Sequence, residues 1–536
     1  MVNSSCMAGI EGKRIEVEVD ISNGLPALHL VGLPDSAVKE STERVRSAIK
    51  NSGFQFPAQR ITVNLAPADM RKEGASFDLA IAVAILQASG QISPAYPEQD
   101  HAHVLWLGEL SLDGTLRPVQ GLIPILDSAR QYGMRTIALP QSQKEECELI
   151  ADLTPFPLAH LRELHPDFDH AIDSTTDDSS SAVLSPLNGN RIQDRPSDTD
   201  EMSIQSEHPE SEEDFADVKG QYQAKRALMV AAAGMHNLLF SGPPGTGKTM
   251  LIRRLPTIMP DLDDEEALDV TKLYSASGKL GRIQSLLRHR PFRAPHHTIT
   301  LSGLVGGGTI PKPGEVSLAH RGILYLDELP EFSRQVLEVL RQPLEEGQVT
   351  ISRSRAVYTF PARFIFAASM NPCPCGYAGA TDTDVVCTCS PHRVQQYRSK
   401  ISGPLLDRID IQLEIPRLRR PDMDAPTDNQ RKYALSSKDM KKKVEAAMRM
   451  QQERYKTTEI RSNSQLKGKQ LTALSSLEPD AWQMLDHILD SLGISLRAYD
   501  RIVRLSRTIA DLDESEQVTT QHIAEAVQYR SLDRYV

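Results

Sequence analysis

A chain of 536 residues is too long for one hydrophobic core, and about three units of ordinary domain size are expected. With 40% hydrophobic and 24% charged residues it has a globular composition, without an apolar run long enough to span a membrane or an apolar signal segment at its start. The net charge of -11 excludes a polycation, so any nucleic-acid contact must come from a local basic surface.

In chain order, residues 14–21 alternate strictly, with Ile15, Val17, Val19 and Ile21 on one side of a half-buried strand and Glu16, Glu18 and Asp20 on the other. Asp35 or Ser36 caps a helix that carries Val38, Val45 and Ile49 on one face, with Gly53 beyond its end. Residues 61–65, 104–107 and 136–139 read as short strands, and residues 77–88 as a helix buried on all sides. This first α/β unit covers residues 1–165. Residues 166–214 are rich in Ser, Asp, Glu, Thr and Pro, and read as a flexible acidic linker that cannot offset its ordering entropy by burial. Asp177, Ser179 and Ser181 have the D-x-S-x-S order of a metal-dependent adhesion site, but no buried strand precedes them, and the order is read as coincidence in a biased tract. Residues 215–420 alternate apolar strands and helices, as an α/β layered core does. Residues 421–536 read as helical, with a charged helix over 438–455 and a bundle whose core face holds Trp482, Leu485, Ile488 and Leu492.

The chemistry concentrates in the third segment. A short apolar strand leads into Gly242-Pro243-Pro244-Gly245-Thr246-Gly247-Lys248-Thr249, and a helix follows. Glycines at these places let backbone N–H groups curl around the phosphates of ATP. Lys248 reaches the β/γ-phosphates, and Thr249 offers its hydroxyl to Mg²⁺. A second strand, residues 323–326, ends in Asp327-Glu328: Asp327 is the expected Mg²⁺ ligand and Glu328 the residue that polarises the attacking water. A third strand, residues 363–368, leads to Asn371, a candidate polar sensor of the γ-phosphate.

Four of the six cysteines, Cys373, Cys375, Cys387 and Cys389, follow at once. Four thiolates on two turns suit a tetrahedral Zn²⁺ in a reducing cytoplasm, acting as a clamp and not as a catalyst, with His392 as a substitute ligand. Residues 349–360 read as a β-hairpin with Arg353 and Arg355 at its tip, a pair suited to DNA phosphates.

Longer segments carry a resemblance: Arg290-Pro291-Phe292-Arg293-Ala294-Pro295-His296-His297, Pro313-Gly314-Glu315-Val316-Ser317-Leu318-Ala319-His320, Ser402-Gly403-Pro404-Leu405-Leu406-Asp407-Arg408-Ile409-Asp410 and Ser495-Leu496-Arg497-Ala498. With Asn64-Leu65-Ala66-Pro67-Ala68-Asp69 in the first unit, the chain resembles the ComM/YifB family of magnesium-chelatase-like AAA+ proteins. The resemblance implies that Arg408 is an arginine finger acting on a neighbour's ATP, that Arg497 is the sensor 2 arginine of a helical lid, and that the chain forms a ring, most simply a hexamer. It implies a DNA motor that drives branch migration on single-stranded and branched DNA when incoming strands recombine, as in natural transformation. A chelatase-like protein-remodelling ATPase is the alternative. The first unit resembles the protease-like domain of Lon, with Ser76 in the place of a nucleophile. Ile123 stands where a catalytic lysine belongs, so a non-proteolytic module is expected.

Overall fold

The structure is a computed structural model, and it describes residues 1–70, 72, 74–93, 104–166, 168, 213–281, 283, 285–308, 311–353, 356–379, 386–418, 435–492 and 495–530. Asp177, Ser179 and Ser181, most of the acidic linker, and Arg355 lie outside the described residues, as does the side chain of Leu492. The chain divides into two compact units, one within Met1–Ser206 and Tyr274–Leu286, the other within Glu207–Leu273 and Leu287–Val536. Among the described residues, no helix is long and apolar enough to cross a membrane.

The first unit is built on a seven-stranded mixed sheet, in the order Ala27–Val31, Arg60–Ala66, Glu11–Ser22, Val2–Ala8, Val104–Trp106, Thr136–Pro140 and Thr154–Leu158. The alternation read from the sequence sets its register: Val17 lies opposite Leu65 on one side and Val2 on the other, and all three are buried. Helix Ser36–Asn51 starts where Asp35 Oδ1 accepts the Val38 amide at 2.7 Å, and it buries Val38, Val45 and Ile49. Helix Asp78–Ala88 is buried along most of its length. It carries Asp78 into the interior, where burial pushes the carboxyl up to about 6 against the opposing pull of Arg44, whose Nε lies 2.8 Å away.

In the second unit five strands form an all-parallel sheet, ordered Phe292–Arg293, Ile323–Leu326, Ile365–Met370, Leu238–Ser241 and Ile411–Glu414. Successive residues point to opposite faces, so Leu238, Phe240, Ile323, Tyr325, Ile365 and Ala367 enter one core, and Leu239, Leu324, Leu326, Phe366 and Ala368 enter the other. The C-terminal helices join the first of these cores rather than forming their own. Val444 of Ser437–Tyr455, Leu485 of Pro479–Leu492 and Ile509 of Leu496–Leu512 pack with the sheet and with helix Tyr222–Gly234. Of the core face read from the sequence, Leu485 is fully buried, while Trp482 and Ile488 are only partly covered, and Ala481 takes the place of a deeper contact.

Candidate nucleotide site

The strand Leu238–Ser241 lies between Ile365–Met370 and Ile411–Glu414, so its neighbours in the sheet come from far along the chain. Such a reversal of strand order opens a crevice at the carboxyl ends of the strands. The Gly242–Gly247 loop sits there. Gly245 and Gly247 have φ of 76° and 85°, and a Cβ on Gly242 would lie 2.4 Å from the Ile415 carbonyl, so these three positions require glycine. Lys248 opens helix Lys248–Arg253, and its Nζ donates to Gly242 O (2.7 Å), Pro243 O (2.9 Å) and Asn371 Oδ1 (3.3 Å). Burial lowers the Lys248 pKa, and the Asp327 and Glu328 carboxylates oppose that shift. Thr246 Oγ1 donates to Pro243 O at 3.0 Å and tightens the loop, while Pro244 and Gly245 stand exposed at its mouth.

Asp327 ends the neighbouring buried strand. Thr249 Oγ1 donates to Asp327 Oδ2 at 3.0 Å, which brings together the hydroxyl and carboxylate expected to share a Mg²⁺. The other carboxylate oxygen accepts from Ser369 Oγ and from the Glu328 amide at 3.0 Å. Burial alone would raise the Asp327 pKa, but hydrogen bonds from Ser369, Tyr325 and Thr249 outweigh it and hold the carboxyl below its ordinary value. Glu328 has φ 51° and ψ 51°, a left-handed conformation that costs energy for a residue with a Cβ and that turns the chain abruptly after Asp327. The register explains Asn371. Met370 pairs with Ser241, so the next residue of that strand stands beside Gly242 and reaches Lys248.

Three further polar residues serve this site, and sequence reasoning missed them. Tyr325 OH lies 3.3 Å from both Thr249 Oγ1 and Ser369 Oγ. Gln221, itself at φ 51°, donates from Nε2 to Thr246 O (3.4 Å) and Pro416 O (3.0 Å) and braces the loop from behind. The Gly220-Gln221 pair before a helix was a signal for Gln221; for Tyr325 and Ser369, ordinary strand residues, the sequence held none.

Arg408 lies at the amino ends of these strands, the edge of the core opposite the loop, and Arg497 lies beside it. The Asn237 side chain, just before the central strand, donates to Arg408 O at 2.9 Å, and Asp410 and Ile411 donate from their amides to Asn237 O. The four residues of Leu238–Ser241 separate this edge from the phosphate loop, about 13 Å of strand. Arg408 bonds Glu345 and Pro404 O, and Arg497 lies 3.5 Å from Asp407. Both line a cavity of about 900 Å³ together with Arg363, Arg461 and Arg504. Beneath it, His236 is fully buried between Asp410 (3.3 Å) and Thr508 (2.7 Å), which ties the Arg408 segment to the C-terminal helix. Burial would raise Asp410, but the His236 contact and the Arg501 charge hold its carboxyl well below the ordinary range.

The sulfurs of Cys373, Cys375, Cys387 and Cys389 all lie within 4.8 Å of one another. Separations of 3.3, 3.5 and 3.8 Å among the first three match the edge of about 3.8 Å in a tetrahedron of thiolates around zinc. The Tyr377 amide and the Cys373 thiol hold the Cys375 thiol down to about 6, while burial and the neighbouring cysteines push those of Cys387 and Cys389 up. The Ala378 amide donates to Cys373 Sγ at 3.3 Å. His392 is not part of the group; it sits on helix Pro391–Arg398.

The hairpin forms from Gln348–Arg353 and Ala356–Pro361, with Arg353 paired to Ala356. Arg353 Nη2 donates to Gly308 O at 3.2 Å, beside the short ribbon that pairs Gly306 with Pro313. In the first unit, Ser76 Oγ donates to Ser5 O at 3.4 Å and Ile123 is buried in helix Leu122–Gln131. Lys72 is fully buried, and its Nζ donates to the carbonyls of Pro67 and Met70, so it is engaged as a donor.

A glycine loop, a lysine, a hydroxyl–carboxylate pair and a polar sensor at the carboxyl ends of parallel strands define a P-loop site of the AAA+ kind. Comparison with known proteins agrees. Residues 214–423 match the family described as magnesium chelatase, subunit ChlI, residues 17–143 that described as subunit ChlI of Mg-chelatase, and residues 434–530 its C-terminal family. Over 534 residues the chain is 43% identical to the uncharacterised protein YifB of Salmonella typhimurium and 42% identical to that of Escherichia coli, covering 100% of this chain and 97% of each relative. It is 40% identical to the competence protein ComM of Haemophilus influenzae over 539 residues, covering 100% of this chain and 98% of that one. The chain belongs to the ComM/YifB family of magnesium-chelatase-like AAA+ proteins. ATP and Mg²⁺ are the ligands that family implies, and Lys248, Thr249 and Asp327 have the donor set to hold them.

Proposed function

We propose that this chain is an ATP-hydrolysing motor that assembles as a ring, most simply a hexamer, and moves single-stranded and branched DNA in the cytoplasm. Lys248 and the loop amides bind the triphosphate, Thr249 and Asp327 hold Mg²⁺, and Glu328 orients and polarises a water for attack on the γ-phosphate. Asn371 contacts the same phosphate. Bound Mg²⁺ neutralises charge on the phosphate oxygens.

The observation that carries the ring is the position of Arg408 and Arg497 at the edge of the sheet away from Lys248. A guanidinium there serves a phosphoryl transfer by reaching the loop of a neighbouring copy, where it stabilises charge in the transition state. Arg353, and Arg355 beyond it, supply sequence-independent contacts to DNA phosphates. The four cysteines hold one Zn²⁺ as a structural clamp. The competence name of the Haemophilus relative supports a role in recombining incoming DNA, with branch migration as the task.

The deciding experiment is ATP turnover with and without single-stranded and branched DNA, together with strand movement on a branched substrate. DNA should raise turnover and branches should move. Turnover that ignores DNA and rises only with a protein partner would overturn the motor in favour of a chelatase-like remodeller.

A further inference from the structure

The cysteine cluster is built against the nucleotide loop. The chain enters it from Asn371, whose Oδ1 lies 3.3 Å from Lys248 Nζ. Within it, Gly376 has φ 88°, and a Cβ at that position would lie 2.7 Å from Cδ of Pro244 in the phosphate loop. The chain leaves through helix Pro391–Arg398, which returns to the start: Arg398 Nε donates to Pro372 O at 3.2 Å, and the buried Tyr397 hydrogen-bonds the Asn371 backbone.

The segment has little else to hold its shape. Among the described residues between Met370 and Tyr397, only Pro372, Cys373 and Gly376 are buried. An irregular loop without its own core takes its shape from whatever joins its sulfurs.

We propose that metal on Cys373, Cys375, Cys387 and Cys389 controls the nucleotide affinity of the P-loop, by holding Gly376 against Pro244. This rests on the zinc and nucleotide readings above. Zn²⁺ takes the place of the thiol protons, which leave to solvent, and no electron is transferred. Coupling between two sites is reciprocal, so nucleotide must tighten zinc binding by the factor by which zinc tightens nucleotide binding.

The experiment uses the full chain and two readouts, zinc content and the affinity for a fluorescent ADP. Protein stripped by a chelator, with Mg²⁺ restored, should bind ADP more weakly by about 5–150-fold, the usual range for coupled sites, and added Zn²⁺ should restore the affinity. ADP should raise zinc affinity by the same factor. Gly376→Ala should keep its zinc and still lose ADP affinity, because the new Cβ displaces the phosphate loop. Gly379→Ala is the matched control: its φ of 77° brings comparable backbone strain, but its Cβ would meet nothing within 4 Å, so ADP affinity should hold. Protein that never carries zinc overturns the zinc reading and the proposal with it. Zinc-loaded and stripped protein with equal ADP affinity, or a Gly376→Ala chain that binds as the parent does, overturns the coupling alone.

Discussion

The two edges of the five-stranded sheet are built on opposite plans. At the loop edge, polar groups find partners within the chain: Lys248 has three acceptors, and Thr249, Asp327, Ser369 and Tyr325 form a closed hydrogen-bonded set. At the far edge, Arg497 is 70% exposed and lies 3.5 Å from Asp407, and Arg408, itself 16% exposed, bonds Pro404 O and Glu345, a carboxylate that is 61% exposed. Cationic and anionic side chains both line the cavity there. The first edge is complete in one chain. On the proposed reading, the second receives a neighbour's phosphates.

The largest expected effect comes from breaking the complete edge at its water. Glu328→Gln keeps the size of the side chain and removes its basicity, so turnover should fall by up to about 10⁴-fold while ATP still binds. Turnover within a few-fold of the parent would refute the role of Glu328. Breaking the incomplete edge comes next. Arg408→Ala should lower turnover by about 10³-fold with nearly unchanged ATP affinity. Mixed with Lys248→Ala protein it should regain activity, because some interfaces then pair an intact Arg408 with an intact Lys248. If no mixture recovers any turnover, the division of labour between edges is wrong.

Lys248→Ala by itself sharpens the contrast through binding: affinity for ATP should fall by about 10–10²-fold, the worth of a hydrogen bond to a charged group, as titration with a labelled nucleotide would measure. Arg497→Ala should cost about tenfold in turnover and spare binding, since its side chain is exposed and shares its place with Arg408. Arg353→Ala should do least to basal hydrolysis. It should reduce the dependence of DNA affinity on salt by about one counterion for each phosphate that the arginine had neutralised, and an unchanged slope would take Arg353 out of the DNA path.

The order of chemistry along the chain was legible from the start. Glycines, lysine and threonine in a fixed spacing can do little but hold phosphates, and an acidic pair ending an apolar strand completes a metal site, because these roles depend on local geometry. The same holds for the caps, the alternating strands and the tight grouping of four cysteines. Other features depended on which distant segments became neighbours. That Met370 pairs with Ser241, which puts Asn371 against Lys248, is a matter of strand order, and strand order is set by how two cores divide the apolar side chains. The supporting roles of Tyr325 and Ser369 arise in the same way, since each is an unremarkable residue until the fold gives it a partner. The sequence named Arg408 and Arg497 only through resemblance. Only the tertiary structure decided that they lie together at the end of the strands opposite the phosphate loop, because parallel strands carry their two ends apart.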